Sequence, residues 1–433
     1  MNKLFICLLF CALFFTLPSA LFGQVVQEQE DTTRRAAVKI FLDCRGCDMN
    51  YIREEIPYVN YVRDVREAQV YILETDQNAG SGGRQYTYTF QGQEEFEGLN
   101  DTLIYTTSPD LTSTIIREKR TNMLKMGLMR YVARTPLFNE IEVSHNEELE
   151  SEEVTDNWNY WVFELETSPR FTMEESYRRL DLNNSVQISR ITPELKFEVQ
   201  VDYNYNRQRF IEDDYDTTYL RSSKSIENLI VKSITNHWSA GIMWDIQAST
   251  RNNYLFNSEF MPAIEYDLYP YSDATHRQLR FLYSAGVQFS NYIDTSLYNK
   301  KRETLYRHGL RIAYQVQEKW GSANLSIGAF NYFHDFSKNR IELDAFVRIR
   351  IIKGLSLSIN GGVGYINDQL NLAKGELSEA ERLLRLKEQA TKYEIRGSVG
   401  LTYVFGSIYN NVVNPRFGNG RRGGGGGMGF GFN

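Results

Sequence analysis

Beyond its first two dozen residues the chain has no apolar run of the roughly 18 residues or more that a membrane-spanning helix needs. Mean hydropathy is −0.44, far below that of a helical membrane protein. Positive charge is not in excess either: 48 Lys and Arg stand against 55 Asp and Glu, for a formal net charge of −7. Such a chain is not built to hold nucleic acid through phosphate neutralisation. Histidine is scarce, with five residues, and so is cysteine, with four. That leaves little material for a zinc site or a serine-type triad.

What is present is a leader and many aromatics. Lys3 precedes an almost wholly apolar stretch from Leu4 to Leu17, and the small residues Ser19, Ala20 and Gly23 follow. This pattern is a secretory signal peptide over residues 1–23, cut after Gly23 or Ala20. It carries off Cys7 and Cys11 and leaves Cys44 and Cys47 as the only cysteines. In lipid every backbone polar group must be satisfied internally, so only helices and closed barrels span. An exported chain without a spanning helix is therefore soluble or a barrel.

The strand pattern favours the barrel. From about 157 to 407, alternating segments of roughly 10 to 16 residues follow one another between turns. In the clearest, Ile341, Leu343, Ala345, Val347, Ile349 and Ile351 share one face, while Arg340, Glu342, Asp344, Arg348 and Arg350 share the other. Period two with one apolar face is a half-buried strand. An Arg on the lipid side costs about 2–4 kcal/mol at the midplane, so turning this strand over would cost on the order of 10 kcal/mol. The charged face must look inward. The predicted lumen charges are Lys196, Glu198, Asp202, Arg280, Arg307, Arg311, Glu342, Asp344, Arg348, Arg350, Glu394 and Arg396. Mixed signs of this kind pair across a narrow lumen and obstruct it, whereas a selective pore shows one dominant sign. About twelve strands are expected, starting near 158, 178, 194, 217, 237, 258, 277, 303, 320, 339, 354 and 392, with tight turns alternating with longer links. An even count puts both barrel ends on the periplasmic side.

Residues 37–135 read as a small α/β domain with the order β-α-β-β-β-α. Its strands are Val38–Leu42, Ala68–Leu73, Gln85–Phe90 and Thr102–Tyr105. Its helices are Asp48–Ile56 and Asp110–Ala133, the second with an apolar stripe of Ile115, Ile116, Met123, Leu124, Leu128 and Val132. Gly80, Gly82 and Gly83 form a loop and not a phosphate cradle, because no Lys-Ser/Thr helix follows. Cys44 and Cys47 form a C-x-x-C pair, for which a structural disulfide in an oxidising compartment is the default over thioredoxin-like or zinc chemistry. An acidic linker follows over 136–156 and a Gly-rich tail over 408–433. A helix is expected over Glu376–Gln389 in the last long loop, covering the barrel mouth.

Two segments carry a resemblance. Phe41-Leu42-Asp43-Cys44-Arg45-Gly46-Cys47-Asp48 and the run from Phe405 to Gly418 resemble a group of uncharacterised outer-membrane β-barrel proteins of Gram-negative bacteria. The N-terminal element order is similar to the TolB-type amino-terminal domain, which implies a periplasmic interaction module. Neither resemblance implies a catalytic residue, a metal or a cofactor.

The expected protein is thus an all-β transmembrane antiparallel barrel preceded by a periplasmic α/β domain. Its expected partners are outer-membrane lipid and a periplasmic protein, without nucleic acid. Function is expected to be structural or assembly-related and not enzymatic. The alternatives are a small-solute channel and a barrel hydrolase, for which His334 and Asp335 are the sole candidate pair.

Overall fold

The computed structural model describes residues 37–79, 83–108, 111–140, 158–212, 215–374 and 391–407. The leader, most of the acidic linker, the expected 376–389 helix and the Gly-rich tail lie outside the described residues.

The N-terminal region is a mixed sheet with two helices on one face. Its strands are β1 (Lys39–Asp43), β2 (Asn60–Tyr61), β3 (Val70–Asn78), β4 (Arg84–Gly92) and β5 (Asn100–Thr106). They lie in the order β2-β1-β3-β4-β5, with β1 parallel to β2 and β3 and the remaining pairs antiparallel. Helices α1 (Met49–Glu55) and α2 (Ser113–Val132) cover one side. Val38, Ile40, Val70, Ile72, Tyr88 and Phe90 from the strands pack there with Ile52, Ile56, Leu124, Leu128 and Tyr131. Val70 to Leu73 are all buried because Tyr71 and Leu73 are covered on the other face, with Val65 and Phe41. A strand buried on both faces reads as a continuous apolar run. Strand β2, two residues long, was not expected; it is too short to show a period.

Helix α2 buries most of the expected stripe, with Ile116 and Met123 partly buried against the same core. Thr121, Leu124, Gly127, Leu128, Tyr131 and Val132 are buried, while Ile115 is exposed. Two residues outside that stripe add to the buried side. Arg120 turns inward to reach Glu74, and Gly127 lets the helix close on β4, where an added Cβ would lie 2.1 Å from Phe90 Cζ.

The second region is one twelve-stranded antiparallel sheet, every strand paired with its sequence neighbours. Its members are β6 (Trp161–Met173), β7 (Tyr177–Ile191), β8 (Leu195–Glu212), β9 (Tyr215–Ser233), β10 (Trp238–Ser249) and β11 (Tyr254–Asp267). They continue as β12 (Arg277–Tyr292), β13 (Arg302–Glu318), β14 (Gly321–Tyr332), β15 (Asp335–Ile352), β16 (Leu355–Ile366) and β17 (Tyr393–Tyr403). The expected starts fall within four residues of these. The expected closure is not seen. Among the described residues β6 pairs only with β7 and β17 only with β16, so the sheet is open at both edges.

The expected alternation of short and long connections also holds incompletely. At one end the chain turns tightly at Lys319–Trp320 and Lys353–Gly354, but the β11–β12 link at that end runs over 268–276 and holds a 3-10 turn. At the other end β14 and β15 are separated by Phe333 and His334 alone. Long ladders consume the expected loops: β8 and β9 have 18 and 19 residues, where about 9–11 cross a bilayer.

Register makes one face mainly apolar, with Asn184 on β7 and Lys224, Asn228 and Lys232 on β9 as its polar exceptions, and the other face polar and charged. Trp244 pairs with Phe260, Phe260 with Val287, Val287 with Tyr306, and Leu310 with Ala329, which pairs with Ile341; all lie on one apolar face. Its rims are aromatic. Trp161, Trp238 and Tyr403 are exposed at the tight-turn end, and Tyr306, Tyr365 and Tyr393 toward the other. Tyr283, by contrast, pairs with Ile264 and Leu310 within the strands.

Candidate functional site

All twelve charges named from the sequence lie on the face opposite this apolar one. For example, Arg396 faces Gly362, which faces Asp344; Glu394 faces Gly364, which faces Glu342. Their pairing differs from the expected cross-lumen pattern. Lys196–Glu198 (3.0 Å) and Glu394–Arg396 (3.4 Å) bridge along single strands, where residues two apart share a face. Arg307 reaches from β13 to Glu259 on β11 at 3.1 Å. Arg350 starts from the same face but reaches past its end to Asp43 of the α/β region, as described below. Arg280, Arg311, Asp344 and Arg396 border a cavity of about 610 Å³ together with Asn324 and Asn360.

Both ends of this face are covered. At the end away from the tight turns, residues 367–374 fold back across the sheet. Leu297 N–H donates to Leu372 C=O at 2.8 Å, Asn253 Nδ2 donates to both Asp294 and Asn371 carbonyls at 2.9 Å, and Arg340 holds Asp368 at 2.9 Å. Asn253 follows β10 and Asn371 follows β16, so one short segment spans six strands only because the sheet is strongly curved. Beneath it Leu305, Tyr332 and Leu370 are buried together.

At the tight-turn end sits the α/β region. Asp43 accepts from Arg350 at 2.7 Å, and Asp64 accepts from the Gly354 N–H at 2.6 Å. Arg66 donates to Ile351 C=O at 3.2 Å, Glu67 pairs with Lys353, and Thr89 Oγ1 lies 3.3 Å from His276 Nε2. Phe41 and Arg45 add cation–π contacts to Arg350 and from Arg45 to Phe346. Gly354 is required here: its φ is +72°, and a Cβ would meet Val404 C=O at 2.1 Å. The contacts come from the β1–β3 face opposite the two helices, which carries Phe41, Asp43 and Tyr71.

A second polar site lies in the α/β region. Cys44 and Cys47 are joined by a disulfide, with Cα atoms 5.8 Å apart. Arg120 of α2 reaches under them: its Nη2 lies 3.2 Å from Cys44 Sγ and 3.1 Å from Cys47 Sγ. The same nitrogen donates to Glu74 Oε1 at 2.6 Å, Nε donates to the Tyr88 hydroxyl at 3.4 Å, and Nη1 donates to Gly46 C=O at 3.3 Å. Glu74 Oε2 is 3.4 Å from Cys47 Sγ, and its side chain is only 2% exposed. Burial pushes the Glu74 carboxyl above its usual range, against the pull of Arg120. Burial acts to lower the Arg120 guanidinium, but the bond to Glu74 outweighs it and holds the group above its ordinary value. Cys44, Cys47 and Glu74 bring three donor atoms within 4.8 Å, yet a cation placed there would meet the guanidinium.

Sequence reasoning found the two cysteines but missed Arg120, Glu74 and Tyr88. Of the candidate pair His334 and Asp335, the Asp335 carboxylate accepts from Ser337 N–H and Oγ, and the His334 ring lies against Tyr332. Compared with known proteins, the chain matches no family model and no curated sequence.

Proposed function

We propose that in an outer membrane β6 and β17 pair and close the sheet into a twelve-stranded barrel. In this reading the barrel carries the α/β domain at its periplasmic rim as a non-enzymatic structural or assembly component of the envelope. The observation that carries it is the mainly apolar face that recurs on all twelve strands, interrupted at Asn184 on β7 and Asn228 on β9, rimmed by aromatics and backed by a charged face. In water such a face has nothing to cover it; in lipid it is the required surface.

The edges support closure. β6 starts and β17 ends at the tight-turn end, so their pairing would be antiparallel like every other pair in the sheet. Both expose large apolar residues on the outer face, Leu165 and Phe171 on one and Ile395, Val399 and Leu401 on the other. Unpaired edges cannot remain in hydrocarbon, where each unsatisfied backbone group costs several kcal/mol. Domain and 367–374 segment cover the two ends of the polar face, which favours an occluded barrel over a small-solute channel. A periplasmic protein partner has a surface to use: β5 is an edge strand among the described residues and exposes Ile104.

Cysteine cross-linking across the proposed seam tests closure. One cysteine at 163, 165 or 167 on β6 is combined with one at 395, 399 or 401 on β17, in detergent micelles. Cross-links that step in opposite directions along the two strands are expected. If no combination closes, the sheet stays open and the reading fails; steady unit conductance in planar bilayers would point to the channel instead.

A further inference from the structure

We propose that Cys44–Cys47 is an exchange-active disulfide that accepts electrons from a dithiol protein. This inference does not depend on the barrel, because its reacting and charged groups, Cys44, Cys47, Arg120 and Glu74, all lie in the α/β region.

Three observations separate the pair from a purely structural crosslink. First, it closes a loop of four residues, and the entropic gain from a disulfide falls as its loop shortens. Second, a buried ion pair is set directly against the sulphurs. Taking Arg120 and Glu74 out of water is unfavourable for folding, and a disulfide between neutral sulphurs draws no benefit from a guanidinium 3.1 Å away. A thiolate does benefit. Third, the two sulphurs are not equivalent. Cys44 opens on a cavity of about 410 Å³, bordered by Phe41, Leu42, Met49, Arg53 and Val404. Cys47 packs against the core of the region, beside Glu74.

The exchange follows from that asymmetry. A thiolate of the incoming dithiol attacks Cys44 Sγ from the cavity. The Cys44–Cys47 bond breaks, a bond between the reductant and Cys44 forms, and Cys47 leaves as a thiolate against Arg120. The reductant's second thiol then attacks its own sulphur in the mixed disulfide and releases Cys44. Two electrons pass from the dithiol, which becomes a disulfide, to the cysteine pair. Of the two protons of the dithiol, one ends on Cys44 and the other is released to solvent, so that Cys47 stays a thiolate paired with Arg120. Asp43 and Arg45, which flank Cys44, both touch the large sheet. The exchange site therefore lies at the junction of the two regions.

The test uses the full chain in detergent, without denaturant, equilibrated with dithiothreitol couples of graded ratio. It is then quenched in acid, alkylated and mapped by mass spectrometry, which separates this pair from Cys7 and Cys11. Reversible reduction of the folded protein is expected, with Cys44 alkylated before Cys47. Glutathione should become trapped on Cys44 in a Cys47→Ser variant. Arg120→Gln should shift the exchange equilibrium about tenfold or more toward the disulfide, because the thiolate loses a charged hydrogen bond. Glu74→Gln should shift it the opposite way, because the cation then serves the thiolate alone. A merely structural role would not give shifts of opposite sign. Reduction only after denaturant unfolds the chain, or shifts of the same sign in the two variants, would overturn the proposal.

Discussion

Arg120 ties several parts of the α/β region together, touching Glu74, Tyr88, both sulphurs and the backbone at Gly46. Its removal has a defined consequence. Arg120→Ala leaves the Glu74 carboxylate buried without its cation, at a cost of about 3–5 kcal/mol. That loss is measured as a lowered urea midpoint for residues 37–140 in pulse proteolysis. Replacing both charges, Arg120→Met with Glu74→Gln, should recover most of it, since neither variant group needs the other. None of this was legible from the sequence. Arg120 stands in the run Arg117-Glu118-Lys119-Arg120, which reads as a solvated helix face, and its partners are 46 and 76 residues away. The C-x-x-C spacing was visible because both of its members are local.

Helix and strand patterns show the same division. In α1, Asp48 accepts from Tyr51 N–H at 3.1 Å, so it caps the helix. That backbone bond, with Arg117 beside it, holds the Asp48 carboxyl below its ordinary 3.8. A depressed folded-state value contributes stability above the unfolded value. It is lost as pH falls through the folded one. Asp48→Ala should therefore cost about 0.5–2 kcal/mol at neutral pH, and the difference from the parent should shrink below pH 3.8 as the parent is protonated. Urea midpoints of the two proteins across that range check it.

The strands were legible almost in full, since their period-two alternation is set by contacts on a single face. The open edges at β6 and β17 were not, because alternation reports which face a strand buries and not whether its edge is paired. Face assignment makes a paired prediction. Leu343→Arg places a cation on the apolar face and should cost about 2–4 kcal/mol of insertion stability, whereas Asp344→Asn, one residue on and facing the opposite way, should leave it nearly unchanged. Folding yield into lipid vesicles distinguishes them. Equal losses would mean the faces are assigned wrongly.

At the scale of the whole molecule, two independent patterns meet. The sheet is strongly curved, as the 367–374 segment shows, and its edges run in the senses that an antiparallel seam requires. The α/β region docks at one rim through Asp43, Asp64 and Glu67 on Arg350, Gly354 and Lys353. Arg350 shows how such docking escapes a sequence reading. Alternation put it among the lumen charges, and its backbone position agrees, but its partner is 307 residues earlier in another region.

The central claim is that the sheet is a membrane barrel. Electrophoretic mobility of the purified chain, with and without boiling, tests it most directly. A closed barrel resists unfolding by cold detergent, so the unboiled protein should run as a distinct, faster species that converts to the slower one on heating. It should also need detergent to remain in solution. One mobility under both conditions, from a protein that stays dissolved without detergent, would contradict the account.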